Sequence, residues 1–426
     1  SGMYQSAADG LRAHGRFVYS PDRPDLPLTV RTPGYPVFLA LTRGAADALG
    51  VDPVRATVAA QVVVRLLMLA GLALLARRLG LSPIAAAWAT VLAALDPVGT
   101  AMAGQVLSES LFAALLVLAL VVAVRALDRD ASSRAQWTAS ALAGALLAAA
   151  VLTRPIGQFL VPLLLLALLV GGAGPWRLRA ARGVAALLPI VLLVGPWTLH
   201  MVRTTGAPGL SPIAEINLLR YRAAAVVALR DGVDLETARV GLGIDGSPWM
   251  RAAEQPGAGL GARWRREAVP ILLAHPDLTL RVHAIGFARV LLSPGDGDLA
   301  VLFGLVPDDG RGPLGDLRRR APADYARVWL LARPVAFGLF LGTIALLAAV
   351  YLGVARWLLR RIRAPRPPTD VCHLLVLACA LALLVLAAGP EGGARFRVPV
   401  LPLLTLFAVA GWSRARGGVD ADVRTA

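Results

Sequence analysis

Long apolar runs alternate with short polar breaks along this chain. Runs long enough to cross a bilayer fall at 55–76, 84–103, 107–127, 136–153, 156–172, 183–201, 334–356, 371–389 and 398–413. Each is close to the ~20 residues that a helix needs to span a ~30 Å hydrocarbon core, where a helix satisfies its own backbone hydrogen bonds. The pattern predicts an all-α polytopic membrane protein with nine spans. A shorter run at 34–49 follows a proline and carries Arg43 and Asp47, which predicts an amphipathic helix on the membrane surface. The resulting divisions are 1–54, an external loop with that juxtamembrane helix; 55–202, six spans; 203–333, a polar loop region; 334–413, three spans; and 414–426, a tail. Within the loop region, apolar residues recur at helical spacing near 214–231 and 277–292, two stretches that would lie on the bilayer or on the bundle.

Composition supports this division. With 57% hydrophobic and 16% charged residues over 426 positions, the chain has more apolar surface than a soluble core would hide. Its net charge of +16 comes wholly from arginine, in short clusters between apolar runs and not along one basic face, which excludes nucleic acid as the expected partner. Alternate loops hold fifteen arginines on one side (77, 78, 125, 129, 134, 177, 179, 182, 356, 360, 361, 363, 366, 414, 416) and three on the other (154, 395, 397). By the positive-inside rule the N-terminal segment and the 203–333 region face outward, and the tail faces the cytoplasm. That outer region carries 17 Arg against 14 Asp plus Glu, a nearly balanced, water-facing composition. Cys372 and Cys379 share one apolar run, so no disulfide framework is expected. His14, His200, His275, His283 and His373 lack ligand spacing, so neither metal nor cofactor is expected. The opening Ser1-Gly2-Met3 has no signal peptide or initial span and reads as a fragment or a processed chain.

Candidate chemistry sits where polar residues face outward. Arg31-Thr32-Pro33-Gly34-Tyr35-Pro36 is a stiff, cationic, aromatic turn ahead of the surface helix, with Pro36 where its missing N–H costs nothing. It serves as an interfacial anchor or as part of a phosphate site. Arg65 lies inside the first span and has to meet an anion or a carboxylate. Glu109, at the outer end of a span, is either a neighbour of the helix cap or a carboxylate that takes a proton, holds a sugar hydroxyl or pairs with an arginine. Asp96, just before Pro97, suits a turn. Arg154, Arg395 and Arg397 complete an outer ring of cations, and guanidinium groups clamp phosphate oxygens two donors at a time. Asn217, the single asparagine, suits a helix start.

Taken in order, Tyr4, Arg31 to Pro36, Arg65, Ser108-Glu109-Ser110, Arg154-Pro155, Gly195-Pro196-Trp197, Asn217-Leu218 and Arg395-Phe396-Arg397 resemble the bacterial polyprenol-phosphate-sugar glycosyltransferases. These are GT-C enzymes close to the protein mannosyltransferases and aminoarabinose transferases. The resemblance implies a GT-C-type helical bundle in the inner (plasma) membrane with an extracytoplasmic active site. It also implies a polyprenyl-phosphate sugar donor, a glycan, lipid or protein acceptor, and transfer of a hexosyl or pentosyl group with inversion. The family's general base, an aspartate, would fall at or before Ser1, and Glu109 matches its second external acidic position. By the same carry-over Arg31, Arg65 and Arg395 or Arg397 would hold the donor phosphate, and Tyr35 the sugar or lipid. Rival readings are a lipid-linked glycan transporter or flippase, and a glycan polymerase or ligase; the absence of a visible internal repeat weighs against transport.

Overall fold

The computed structural model describes residues 2–171, 174–244, 251–252, 254–255, 259–295, 299, 321–363 and 371–413. The chain opens with α1 (Gly2–His14) and a hairpin of β1 (Val18–Ser20) and β2 (Arg23–Pro27), paired antiparallel with Val18 opposite Pro27. α2 (Gly34–Leu49) follows, on the residues expected for the surface helix. The segment expected as an external loop is thus largely regular structure. Two ion pairs join α1 to α2: Arg43 binds Asp9, and Arg12 binds Asp47 at the surface. The buried face of α1 is Ala7, Ala8 and Gly10, too small to register as an apolar stripe.

The apolar runs expected as spans are helical over most of their described residues. α3 (Pro53–Arg78), α4 (Pro83–Ala94), α5 (Pro97–Ala103) and α7 (Ser133–Thr153) each start behind an Asp or Ser whose side chain accepts a first-turn amide. α6 (Glu109–Ala126) and α9 (Trp176–Thr205) complete the first set together with α8 (Val161–Val170), which continues a 3₁₀ turn over Pro155–Leu160. Five of the described helices are long and apolar enough to cross a membrane: α3, α6, α7, α9 and the later Pro334–Arg363 helix. The run at 84–103 is not one straight span. α4 and α5 meet at 65°, because Pro97 has no N–H to continue α4 and the Asp96 carboxylate caps the amides of Val98 and Gly99.

The bundle is built around α6, which is buried on nearly all sides and packs against α3 and α7. Outer helices turn leucine and valine outward, as at Leu66 and Leu67 on α3 and Leu188 and Leu192 on α9. Such surfaces suit hydrocarbon as the surrounding solvent, and the fold is an all-α polytopic membrane protein.

Past α9 lies a polar layer of shorter helices: α10 (Ile213–Asn217), a π turn over Leu218–Ala223, α11 (Ala224–Asp231), α12 (Leu235–Gly241), α13 (Leu260–Ala274) and α14 (Pro276–Leu292). The two expected helical stretches appear at α10 to α11 and at α14, while α13 was not anticipated. A small core of Val30, Ile216, Leu219, Ala223, Trp264 and Ala268 ties this layer to the segment just ahead of Arg31. The described residues close with α15 (Pro334–Arg363), α16 (Val371–Ala387), a 3₁₀ turn at Ala394–Arg397 and α17 (Leu401–Trp412). α17 packs against α15 and α4. Glycines allow the closest approach there: a Cβ on Gly353 would lie 2.6 Å from the Ala408 carbonyl oxygen.

Candidate functional site

The expected turn at Arg31–Pro36 is the start of α2, and its glycine serves proximity. Gly34 has no positive φ; a Cβ there would lie 2.7 Å from the carbonyl carbon of Leu152. The contact presses α2 onto the end of α7, one residue short of Arg154. Tyr35, completely buried, donates its hydroxyl to Gln61 Oε1 at 2.6 Å. Gln61 Nε2 in turn donates to the carbonyls of Ala103 at 3.0 Å and Gln105 at 2.7 Å. A single amide therefore fixes α2 and the α5–α6 link, which leads into Ser108 and Glu109, on α3. Burial raises the Tyr35 pKa, and the negative charge of Glu109 adds to the shift, so the phenol stays a neutral donor.

Tyr4 packs edge-on against Tyr35 with ring centroids 5.0 Å apart, and its hydroxyl lies 3.5 Å from Ser108 Oγ. The Arg31 guanidinium covers the Tyr4 ring at 5.1 Å. Beside this wall, Glu109 Oε1 accepts from Arg154 Nη1 at 2.7 Å, and Arg395 Nε stands 4.0 Å from the same oxygen. Arg154 Nη1 also donates to Ser108 Oγ at 3.3 Å. Phe396 lies beside both cations, its ring centroid 5.8 Å from Arg154 Cζ and 5.0 Å from Arg395 Cζ. Glu109 Oε2 is buried without a partner, whereas the Arg395 side chain is 46% exposed. Phe112, Ile156, Leu383, Ala387 and Pro399 line the same cleft. One end is thus charged and cationic on balance, and the walls are apolar.

Six of the expected residues, Tyr4, Arg31, Tyr35, Glu109, Arg154 and Arg395, form this connected cluster. The others lie elsewhere. Arg65 Nη2 donates to the carbonyls of Ala93 at 3.2 Å and Ala94 at 3.4 Å and to Thr100 Oγ1 at 3.1 Å, satisfying the end of α4 at its break. It faces Asp96 across Gly99, where a Cβ would lie 2.7 Å from both side chains. Arg397 is buried, and its Nη1 donates to the carbonyls of Val290, Leu291 and Ser293 at 2.8, 2.9 and 2.9 Å, holding the end of α14. Asn217 closes α10, half-buried in the polar layer. The base expected at or before Ser1 lies outside the described residues.

Sequence reasoning passed over Gln61, although a lone amide within an apolar span signals a buried polar contact. It also passed over Arg222 and Glu391, whose meeting joins distant parts of the chain: Arg222 Nη2 stands 3.6 Å from Glu391 Oε1.

This is a membrane-embedded helical bundle with arginines gathered at one end of an apolar-walled cleft. Residues 34–203, from the start of α2 almost to the end of α9, match the family model of dolichyl-phosphate-mannose-protein mannosyltransferases. Among solved structures, the fold is similar to the oligosaccharyltransferase AglB of Archaeoglobus fulgidus in complex with an inhibitory peptide and a dolichol-phosphate. That likeness has a TM-score of 0.51 at 13% identity and covers 96% of this chain and 45% of that one. The apo form of the A. fulgidus oligosaccharyltransferase gives a TM-score of 0.52 at 15% identity, with 96% and 46% coverage. The chain therefore spans less than half the length of these proteins. ArnT of Cupriavidus metallidurans, bound to undecaprenyl phosphate, is a looser likeness at TM-score 0.41 and 15% identity, covering 96% of this chain and 73% of that one. No curated protein matches the sequence. In the partial family match and in the fold, the chain is similar to the GT-C glycosyltransferases.

Proposed function

We propose that the protein is a membrane glycosyltransferase that takes a monosaccharide from a polyprenyl-phosphate donor and passes it, with inversion, to an acceptor on the extracytoplasmic face. The observation that carries this reading is the convergence of Arg154 and Arg395 on Glu109 at the charged end of an apolar-walled cleft. A lipid phosphate has the matching shape, an anion on an apolar tail. Glu109 and Arg154 lie within the residues matched by the mannosyltransferase model, and one similarly folded oligosaccharyltransferase was solved with a dolichol-phosphate.

Each residue then has a role. The exposed Arg395, with Arg31 over the Tyr4 ring, takes the donor phosphate and stabilises the charge that grows on it as its bond to the anomeric carbon breaks. Arg154 holds Glu109 in place through Oε1, leaving Oε2 to accept a hydroxyl of sugar or acceptor. The acceptor oxygen attacks the anomeric carbon from the face opposite the phosphate, and its proton passes to a carboxylate. Tyr35, Arg65 and Arg397 act on the frame, since their polar groups are engaged with protein.

One observation favours a second reading, a lipid-linked glycan transporter: the bent α4–α5 pair with Arg65 and Asp96 at its break resembles the interrupted helices that line transport sites. The two readings part in a single assay. With the protein in liposomes and defined polyprenyl-phosphate sugars, a transferase releases polyprenyl phosphate and a glycosylated acceptor. Movement of intact lipid-linked glycan between leaflets, with no bond cleaved, would establish the transporter instead.

A further inference from the structure

The arginine nearest the open cleft sits on a link that provides little rigidity of its own. Between α16 and the 3₁₀ turn the sequence runs Ala388-Gly389-Pro390-Glu391-Gly392-Gly393-Ala394, and Arg395 follows directly. Three glycines in six residues leave a wide choice of backbone conformations. After Arg395 the chain is fixed, because Arg397 donates to three carbonyls at the end of α14. Before it, the charged attachment comes from Glu391.

Glu391 turns away from the cleft toward the polar layer. Its Oε1 lies 3.6 Å from Arg222 Nη2, and that same nitrogen donates to the Leu386 carbonyl at 3.1 Å, at the end of α16. Arg222 sits in the π turn, a rare geometry that shifts side chains from ordinary helical register. The contact is tight around the pair: a Cβ on Gly286 of α14 would collide with the backbone of Gly389, and one on Gly392 would lie 3.0 Å from Val290 Cγ2. Glu391 Oε2 and Arg222 Nε are both buried without a hydrogen-bond partner. A partly buried, incompletely satisfied ion pair at 3.6 Å is a poor source of stability, so a role in placement explains it better than a role in folding energy.

We infer that Arg222 and Glu391 are positioning residues that fix the glycine-rich link, and through it set Arg395 against Glu109. The polar layer is thereby coupled to the cleft: a shift of the π turn would move the donor-facing cation. The environment of the pair fits this use. Burial raises the Glu391 pKa against the opposing pull of Arg222, and His283 on α14 has its pKa lowered by burial and then by Arg222, so the guanidinium is the fixed positive charge of this junction.

The inference rests on the glycosyltransferase reading for its consequence, and its test separates the two. Glu391→Gln keeps the size and removes the charge; Arg222→Lys keeps the charge and loses the forked geometry. Amide hydrogen exchange in the purified full chain is expected to rise about tenfold over 389–397 in E391Q, stay unchanged over α17, and return part of the way in E391D. Unchanged exchange over 389–397 in both E391Q and R222K overturns the proposal whether or not the protein transfers sugar. In the transfer assay E391Q is expected to lower kcat/KM for the donor about tenfold, because Arg395 meets the phosphate both on binding and as charge grows on it. The double variant E391Q/R395A should then be no worse than R395A alone, since both act through one side chain. Additive losses would show that the pair acts elsewhere. Wild-type protein that transfers no lipid-linked sugar defeats the enzyme reading and leaves the exchange result to decide the tether.

Discussion

At the scale of single residues, two positions of the Arg31–Pro36 segment matter for reasons that differ from their sequence appearance. Gly34 looks like a turn residue, yet its value is that it lacks a Cβ where Leu152 backbone lies within 2.7 Å of that position. Gly34→Ala should destabilise the protein by about 1–3 kcal/mol, as overpacked sites do. Gly44→Ala, on the same helix with open space around it, should be neutral or slightly stabilising. Thermal unfolding in detergent compares the two. Tyr35 looks like a ligand contact, but its hydroxyl is committed to Gln61. Tyr35→Phe leaves a buried amide oxygen unpaired and should cost about 1–3 kcal/mol. Its pH signature follows from the raised pKa: above pH ~10 an unfolded tyrosine ionises while the buried one does not, so stability falls with rising pH, by up to ~1.4 kcal/mol per unit. That slope should shrink in Y35F. The residue types of the site were legible in sequence, because an arginine or glutamate next to a span needs a partner. Which arginine meets Glu109 and which caps a helix was not, since both uses draw on the same donors.

At the scale of elements, the lesson lies in the two arginines that flank Phe396. Arg395 is half-exposed and reaches the cleft, while Arg397, two residues on, is buried against the end of α14. Their separation is produced by the 3₁₀ turn at Ala394–Arg397, which a sequence pattern does not reveal. Arg397→Met should therefore unfasten α14, lowering thermal stability and raising exchange at 286–293, because three carbonyls lose their donor. Arg395→Ala should leave stability within ~0.5 kcal/mol and cut transfer about a hundredfold or more. The opposite pattern would exchange the two roles. Helix positions were readable because apolar length and Asp or Ser caps before Pro mark them. The α4–α5 bend was half-readable: Asp96-Pro97 signals a stop, but the surrounding apolar run hides it.

At the scale of the whole molecule, orientation is the property to measure. With the two native cysteines replaced, Gly393→Cys should react with a membrane-impermeant maleimide added outside intact cells. Ser132→Cys, in the link between α6 and α7, should react only after permeabilisation. Reversed labelling would place the cleft on the cytoplasmic side and rule out an extracytoplasmic transfer. The sequence by itself determined that the chain crosses a membrane, where its apolar helices lie and which charged residues stand at their ends, because transfer into hydrocarbon dictates long apolar helices and penalises stray charge. Only the tertiary structure decided which of those charges meet. Arg154 and Arg395 converge on Glu109 across 45 and 286 positions of chain, a meeting set by glycine-mediated approach and helix packing, neither of which leaves a periodic signal.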